Sequence, residues 1–118
     1  MIRRGDVVLV QFPYVGGGGG KNRPAVVVQC ERLNRQITNT VVAMITGNLR
    51  RVETEPTQFL IDPSTSEGQS SGLSYASAVK CENLATVAQA DILNTFGHLS
   101  AKLKNQLDVC LKAALELP

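Results

Sequence analysis

Short β-branched runs, each closed within a few residues by a turn signal, govern most of this sequence, and they restrict it to a small sheet. Asp6–Phe12 (DVVLVQF) reads as a strand stopped by Pro13. Pro24–Cys30 (PAVVVQC) is entered through a proline and is nearly all apolar, the pattern of a strand buried on both faces. Thr40–Thr46 (TVVAMIT) follows, and Thr57–Ile61 (TQFLI) is bracketed by Pro56 and by Asp62-Pro63. Ser77–Glu82 and Ala85–Val87 are expected as two further short strands, after a polar, flexible loop at Ser64–Gly72. Closely spaced strands with turns between them predict a small barrel or folded-over sheet.

The period changes once. Leu103, Leu107, Cys110 with Leu111, and Ala114 with Leu115 recur at three to four residues, while Lys102, Lys104, Asn105, Asp108 and Lys112 fall on the other side. This predicts one amphipathic helix from Ala101, N-capped by Ser100, lying on the β layer. The expected class is therefore mainly β (α+β), in one domain over residues 1–118.

Composition narrows the functional classes. With 43% hydrophobic and 19% charged residues the chain is too apolar to be disordered. Its longest apolar stretches, Ala25–Val28 and Val41–Ile45, are far shorter than the ~20 residues of a membrane-spanning helix. The opening Met-Ile-Arg-Arg-Gly-Asp lacks the pattern of an export signal, so a cytoplasmic location is expected, with no membrane partner. Cys30, Cys81 and Cys110 have neither CxxC spacing nor a histidine nearby in sequence, which predicts reduced, partly buried thiols and no metal site. A net charge of +2 is too mild to announce nucleic acid by itself.

Five glycines, Gly16–Gly20, stand before Lys21-Asn22-Arg23. They lead into a strand and lack the GxxxxGK[ST] spacing of a phosphate-binding loop, so they read as a mobile hairpin loop that could close over a groove. His98, the only histidine, sits in FGHLS at the entrance to the C-terminal helix, where a helix-entry or surface role is expected in place of catalysis.

The order of these segments resembles the MazF/PemK family of toxin endoribonucleases. RRGDVVLVQFP at Arg3–Pro13 is similar to the family's opening strand, RPAVVVQ at Arg23–Gln29 to its second and VVAMIT at Val41–Thr46 to its third; SAVKCENLATV at Ser77–Val87 and the C-terminal helix match too. The resemblance implies a CcdB/PemK-type fold: a twisted antiparallel sheet curled into a small SH3-like barrel, with a C-terminal helix and a two-fold homodimer. It implies a toxin of a toxin–antitoxin pair that cuts single-stranded RNA without a metal or other cofactor, leaving a 2′,3′-cyclic phosphate and a 5′-hydroxyl, and that binds a cognate antitoxin protein.

Such cleavage uses the substrate's own 2′-hydroxyl, so the protein must place it and stabilise the charge gathering on phosphorus. By that resemblance Arg23 is the leading catalytic position, and its planar guanidinium suits the task by donating paired, charge-assisted hydrogen bonds to phosphate. Thr46, where the third strand turns at Gly47, is expected to donate its hydroxyl to a phosphate oxygen, with Glu82 as helper. Lys21, Asn22, Arg35, Arg50, Arg51 and Lys80 are expected to follow the RNA backbone, if the barrel gathers these loops at one end. Tyr14 and Tyr75 are loop-borne aromatics suited to stacking on bases. The chain departs from the family at Gly16–Gly20, where relatives carry an acid, and at Gln11 and Ala85, where an aspartate and a basic residue are common. Proton transfer then falls to Arg23, Glu82 and water. The alternatives are a CcdB-like toxin that poisons gyrase without cutting RNA, and a catalytically weakened binding module on the same fold.

Overall fold

The computed structural model describes residues 1–12 and 21–118. Six strands, β1 (Asp6–Phe12), β2 (Lys21–Val27), β3 (Asn39–Thr46), β4 (Gln58–Ile61), β5 (Ser77–Ala88) and β6 (Ile92–His98), form one antiparallel sheet in the order β4-β5-β3-β2-β1-β6. A short helix α1 (Glu31–Gln36) joins β2 to β3, and α2 (Ala101–Leu115) closes the chain. The curled sheet with its C-terminal helix is the expected class.

Both faces of the sheet bury apolar side chains, which is why β1, β2 and β3 read as nearly continuous hydrophobic runs. Val7, Val26, Ala43, Ile45, Phe59, Ile61, Val79 and Cys81 meet Leu103, Leu107 and Cys110 of α2 on one face. On the other, Val8, Val10, Ala25, Val27, Val42 and Val87 form a second cluster. Full burial of each such side chain contributes roughly 1.5–3 kcal/mol, so α2 is held mainly by its Leu103–Leu107–Cys110 stripe. Leu115, expected on that stripe, is instead 53% exposed, while its neighbour Ala114 still packs against the core.

The N-cap is as expected: the Ser100 hydroxyl oxygen accepts from the Leu103 N–H at 3.2 Å. Ser100→Ala is therefore expected to cost about 1 kcal/mol, seen as a lower denaturation midpoint with an unchanged slope against denaturant.

Several sequence expectations need correction. β2 begins at Lys21 and ends at Val27, earlier than Pro24–Cys30, because Lys21, Asn22 and Arg23 pair with Phe12, Gln11 and Val10 of β1. The two short strands Ser77–Glu82 and Ala85–Val87 are one strand, β5, interrupted by a bulge: Leu84 pairs with Ala43, but the next partner, Met44, pairs with Lys80. Cys81, Glu82 and Asn83 lie between, and the Cys81 N–H donates to the Thr57 carbonyl at 3.0 Å. Such a bulge bends and twists its strand, and here it swings β5 from β3 toward β4. Ser64–Gly72 is no free loop either. Thr65 N–H donates to Asp62 O, Ser71 Oγ to Gly68 O and Ser70 Oγ to His98 O, and Gln69–Ser71 makes one 3₁₀ turn.

Pro24 determines where the sheet opens. The Gly5 N–H donates to Val27 O and the Val28 N–H to Val41 O, so odd residues of β2 turn their backbone groups toward β1 and even ones toward β3. Pro24 faces β3 with no N–H to give. The β2–β3 ladder accordingly stops at Ala25↔Met44, leaving Arg23 and Thr46 beyond its end.

Candidate active site

Thr46 ends β3 in a chain of local hydrogen bonds. Its Oγ1 accepts from the Asn48 N–H at 3.1 Å, and Asn48 Oδ1 accepts from the Arg50 N–H at 3.0 Å. Side chains that bond the backbone two residues on hold a turn without sheet or helix. The Thr46 oxygen accepts in this bond, and its single proton is not used in it and remains available to a ligand.

This turn forms one wall of a polar cleft of ≈ 310 Å³. Thr46 comes from the end of β3, Asn48, Arg50 and Arg51 from the β3–β4 connection, Gln58 from β4, and Lys80 and Glu82 from β5. Lys80 pairs with both Met44 and Gln58 across the sheet, which carries it into the same face. Three cations thus face one carboxylate. Among the described residues, Arg50, Arg51 and Lys80 make no salt bridge, which leaves their charge free for an anionic ligand.

The bulge in β5 places Glu82 beside β4. Gln58 Nε2 donates to one carboxylate oxygen at 2.7 Å and Thr57 Oγ1 lies 3.0 Å from the other. That hydroxyl also stands 3.0 Å from Glu55 Oε2, so its single proton serves one acid at a time. Partial burial pushes the Glu82 carboxyl up, but the hydrogen bonds from Gln58, its own backbone amide and Thr57, with the Lys80 charge, outweigh this and hold it below the usual 4.5. Glu82 is an anion at neutral pH, suited to accept a proton or a hydrogen bond and ill suited to donate.

Arg23 does not line this cleft; it is exposed on β2, opposite Val10. The register nevertheless puts it on the same side as Thr46. Ala25 and Met44 are cross-strand partners, and moving two residues outward along each strand reaches Arg23 and Thr46 on that same face. Lys21 lies two residues further along β2 on that side and is also exposed, whereas Asn22 alternates to the other. Arg35 is not brought to the cleft. It sits in the last turn of α1, which precedes the opposite end of β3, a strand length of roughly 24 Å away. Tyr14 and the five glycines lie outside the described residues.

His98 ends β6 and its Nδ1 lies 2.7 Å from Oδ1 of buried Asp6, whose other oxygen accepts from the Arg3 N–H. It joins β6 to β1 through a part-buried contact, not a surface or helix-entry one, and it lies at the sheet edge opposite β4, away from the cleft. Cys81 and Cys110 are buried and Cys30 is exposed. Desolvation, then the neighbouring Cys110 and Glu82, push the Cys81 thiol up to about 12, so it packs as an inert apolar group.

Sequence reading missed Asn48, Thr57 and Gln58. The Thr46-Gly47-Asn48 run carries a signal for the first, since Asn after Gly favours a side-chain-bonded turn. Gln58 is 7% exposed and lies beside Phe59 in an apolar strand, a buried polar group that must find a partner.

Comparison with known proteins bears on the family and the fold. The family model of the PemK-like, MazF-like toxin of type II toxin-antitoxin systems matches residues 3–115. The chain is 32% identical to the endoribonuclease MazF9 of Mycobacterium tuberculosis, over 99% of this chain and 98% of that protein. It is 27% identical to the endoribonuclease EndoA of Bacillus subtilis, over 99% and 97%. A mycobacterial endoribonuclease solved with its cognate antitoxin superposes with a TM-score of 0.77, covering 100% of this chain and 98% of that one at 24% identity, a likeness of fold. Nearly end-to-end coverage at these identities, together with the curled sheet and its terminal helix, shows that this chain belongs to the PemK-like, MazF-like family of toxins of type II toxin–antitoxin systems.

Proposed function

We propose that this chain is a toxin endoribonuclease that cuts single-stranded RNA, and that Arg23, Thr46 and Glu82 form its catalytic group. The observation that carries the reading is the Thr46 hydroxyl on the wall of a cleft whose Arg50, Arg51 and Lys80 make no salt bridge among the described residues, with Arg23 next on the same face. The names of MazF9 and EndoA support the activity.

In this reading the RNA 2′-hydroxyl attacks the adjacent phosphorus and its proton passes to Glu82 or to water. Thr46 O–H and the Arg23 guanidinium donate to the non-bridging oxygens, where negative charge builds. The P–O5′ bond breaks, water returns a proton to the 5′-oxygen, and the products are a 2′,3′-cyclic phosphate and a 5′-hydroxyl. Lys21, at the start of β2, and Lys80, Arg50 and Arg51 bind the neighbouring backbone, while Asn22, on the other face of β2, reaches the RNA only where it bends round the end of the sheet. The protein acts as a homodimer over its single 1–118 domain, in the cytoplasm, and a cognate antitoxin restrains it; the antitoxin-bound mycobacterial structure supports that partnership.

The test is a long RNA incubated with the protein in chelator, followed by analysis of the cut ends. Cyclic phosphate and 5′-hydroxyl ends support the proposal, and intact RNA or cleavage that needs added divalent metal rejects it. Binding should also report the cations. For a single strand the slope of log K against log salt falls by about 0.7 per neutralised phosphate, so Arg50→Ala with Arg51→Ala should flatten it by about 1.4 in titrations of a non-cleavable oligonucleotide.

A further inference from the structure

The open end of the sheet has a second side. Each strand there gives one residue to the polar face and its neighbour to the reverse: Arg23 and Pro24 from β2, Ala78 and Ser77 from β5, with Thr46 and Gly47 where β3 ends. On the reverse side, Leu9, Pro24, Leu73, Tyr75, Ser77 and Phe96 line an apolar recess of ≈ 200 Å³. Tyr75 is 66% exposed and Phe96 37%, so two aromatic rings are offered to solvent on the side of the sheet away from the cationic cleft.

The recess is built to hold its shape. A β-carbon at Gly47 would stand 3.1 Å from Cε2 of Tyr75, so the ring lies directly on the backbone that follows Thr46. Ser77 Oγ donates to the Tyr75 carbonyl at 3.0 Å and fixes the turn that carries the ring. Gly72, at φ 73°, borders the recess where a β-carbon would collide with the Phe96 carbonyl. Only glycine suits that position.

We propose that Tyr75 and this recess form a subsite for one unstacked base of the RNA, the base lying on the tyrosine ring while its phosphate faces Thr46 and the cations. The inference rests on the nuclease reading and adds a binding element to it. A nucleotide needs an anion site and a π-face within one residue's reach, and here Thr46 and Gly47 supply them consecutively: the hydroxyl on one, the tyrosine ring packed on the other. The recess has the scale of a single base, and the positive charge that suits an anionic strand lies in the neighbouring cleft of Arg50, Arg51 and Lys80, joined to it through Thr46 and Gly47.

The experiment uses a single-stranded 2′-O-methyl oligonucleotide, which cannot be cut, with 2-aminopurine placed at successive positions. Wild-type protein should quench the fluorophore strongly at one position. Tyr75→Ala should abolish that quenching and weaken binding by about 5- to 150-fold, the range that base stacking on one aromatic supplies, while Tyr75→Phe keeps both. An abasic residue at the quenched position should weaken wild-type binding and leave Tyr75→Ala unaffected. Wild-type binding that Tyr75→Ala leaves unchanged, or an abasic penalty equal in both proteins, overturns the subsite alone. A wild-type protein that binds none of the oligonucleotides overturns the nuclease reading and the subsite with it.

Discussion

Replacing Arg23 with alanine should lower RNA cleavage by about 1,000-fold or more, the largest effect expected of any single side chain here. Removing one preorganised donor to a developing oxyanion typically costs about 100- to 1,000-fold, and an arginine at a transferring phosphoryl group about 1,000- to 100,000-fold. Position gives Arg23 this weight. Pro24 ends the β2–β3 ladder, so the guanidinium is rooted on a strand at its base while the space opposite, toward Thr46, is not closed by hydrogen bonds. Arg23→Lys should recover only part of the rate, because an ammonium keeps the charge but loses the planar fork. Arg23 is exposed, so both variants should unfold at the wild-type denaturant midpoint. Cleavage by Arg23→Ala within tenfold of wild type would remove it from the catalytic group.

The parts of this architecture that are legible in sequence are those whose signal is local. β1, β3 and α2 follow from dense β-branched runs and from one clear helical period. β6 (ILNTFGH) escapes because it is an edge strand paired with β1 alone, and its middle residues, Leu93–Phe96, face solvent, so no alternation marks it. α1 is six residues long, below the length at which a period can be seen, and is held by tertiary bonds. Buried Asn34 accepts from Gln29 and Thr40, and Gln89, 55 residues away, donates to its carbonyl. The β5 bulge is likewise non-local: CENLATV contains no Gly to announce it, and it exists because Cys81 turns its N–H to Thr57 on another strand.

The site divides the same way. Thr46 and Glu82 are named through the family resemblance of their segments, but the joining of Arg50, Arg51 and Gln58 to them depends on how an eleven-residue connection, Gly47–Thr57, packs back on the sheet. Arg35 shows the reverse error, a basic residue near in sequence that topology carries to the far end.

Thr46→Val should reduce kcat by about 100- to 1,000-fold with little change in KM, because the hydroxyl is asked to act on charge present only in the transition state. Valine has the same branched shape and suits a strand, so β3 should keep its register. The substitution also removes the acceptor for the Asn48 N–H. At a half-exposed turn that loss should cost no more than about 0.5–1.5 kcal/mol of stability, readable in a denaturant melt. Thr46→Ser keeps the hydroxyl and both of its hydrogen-bonding roles, and should retain most of the activity. The pair of variants separates chemistry from scaffolding: if valine slowed cleavage only as far as it lowered stability, or serine fared as badly as valine, Thr46 would be a turn residue and the donor to phosphate would have to be sought among Asn48, Gln58 and Lys80 of the same cleft.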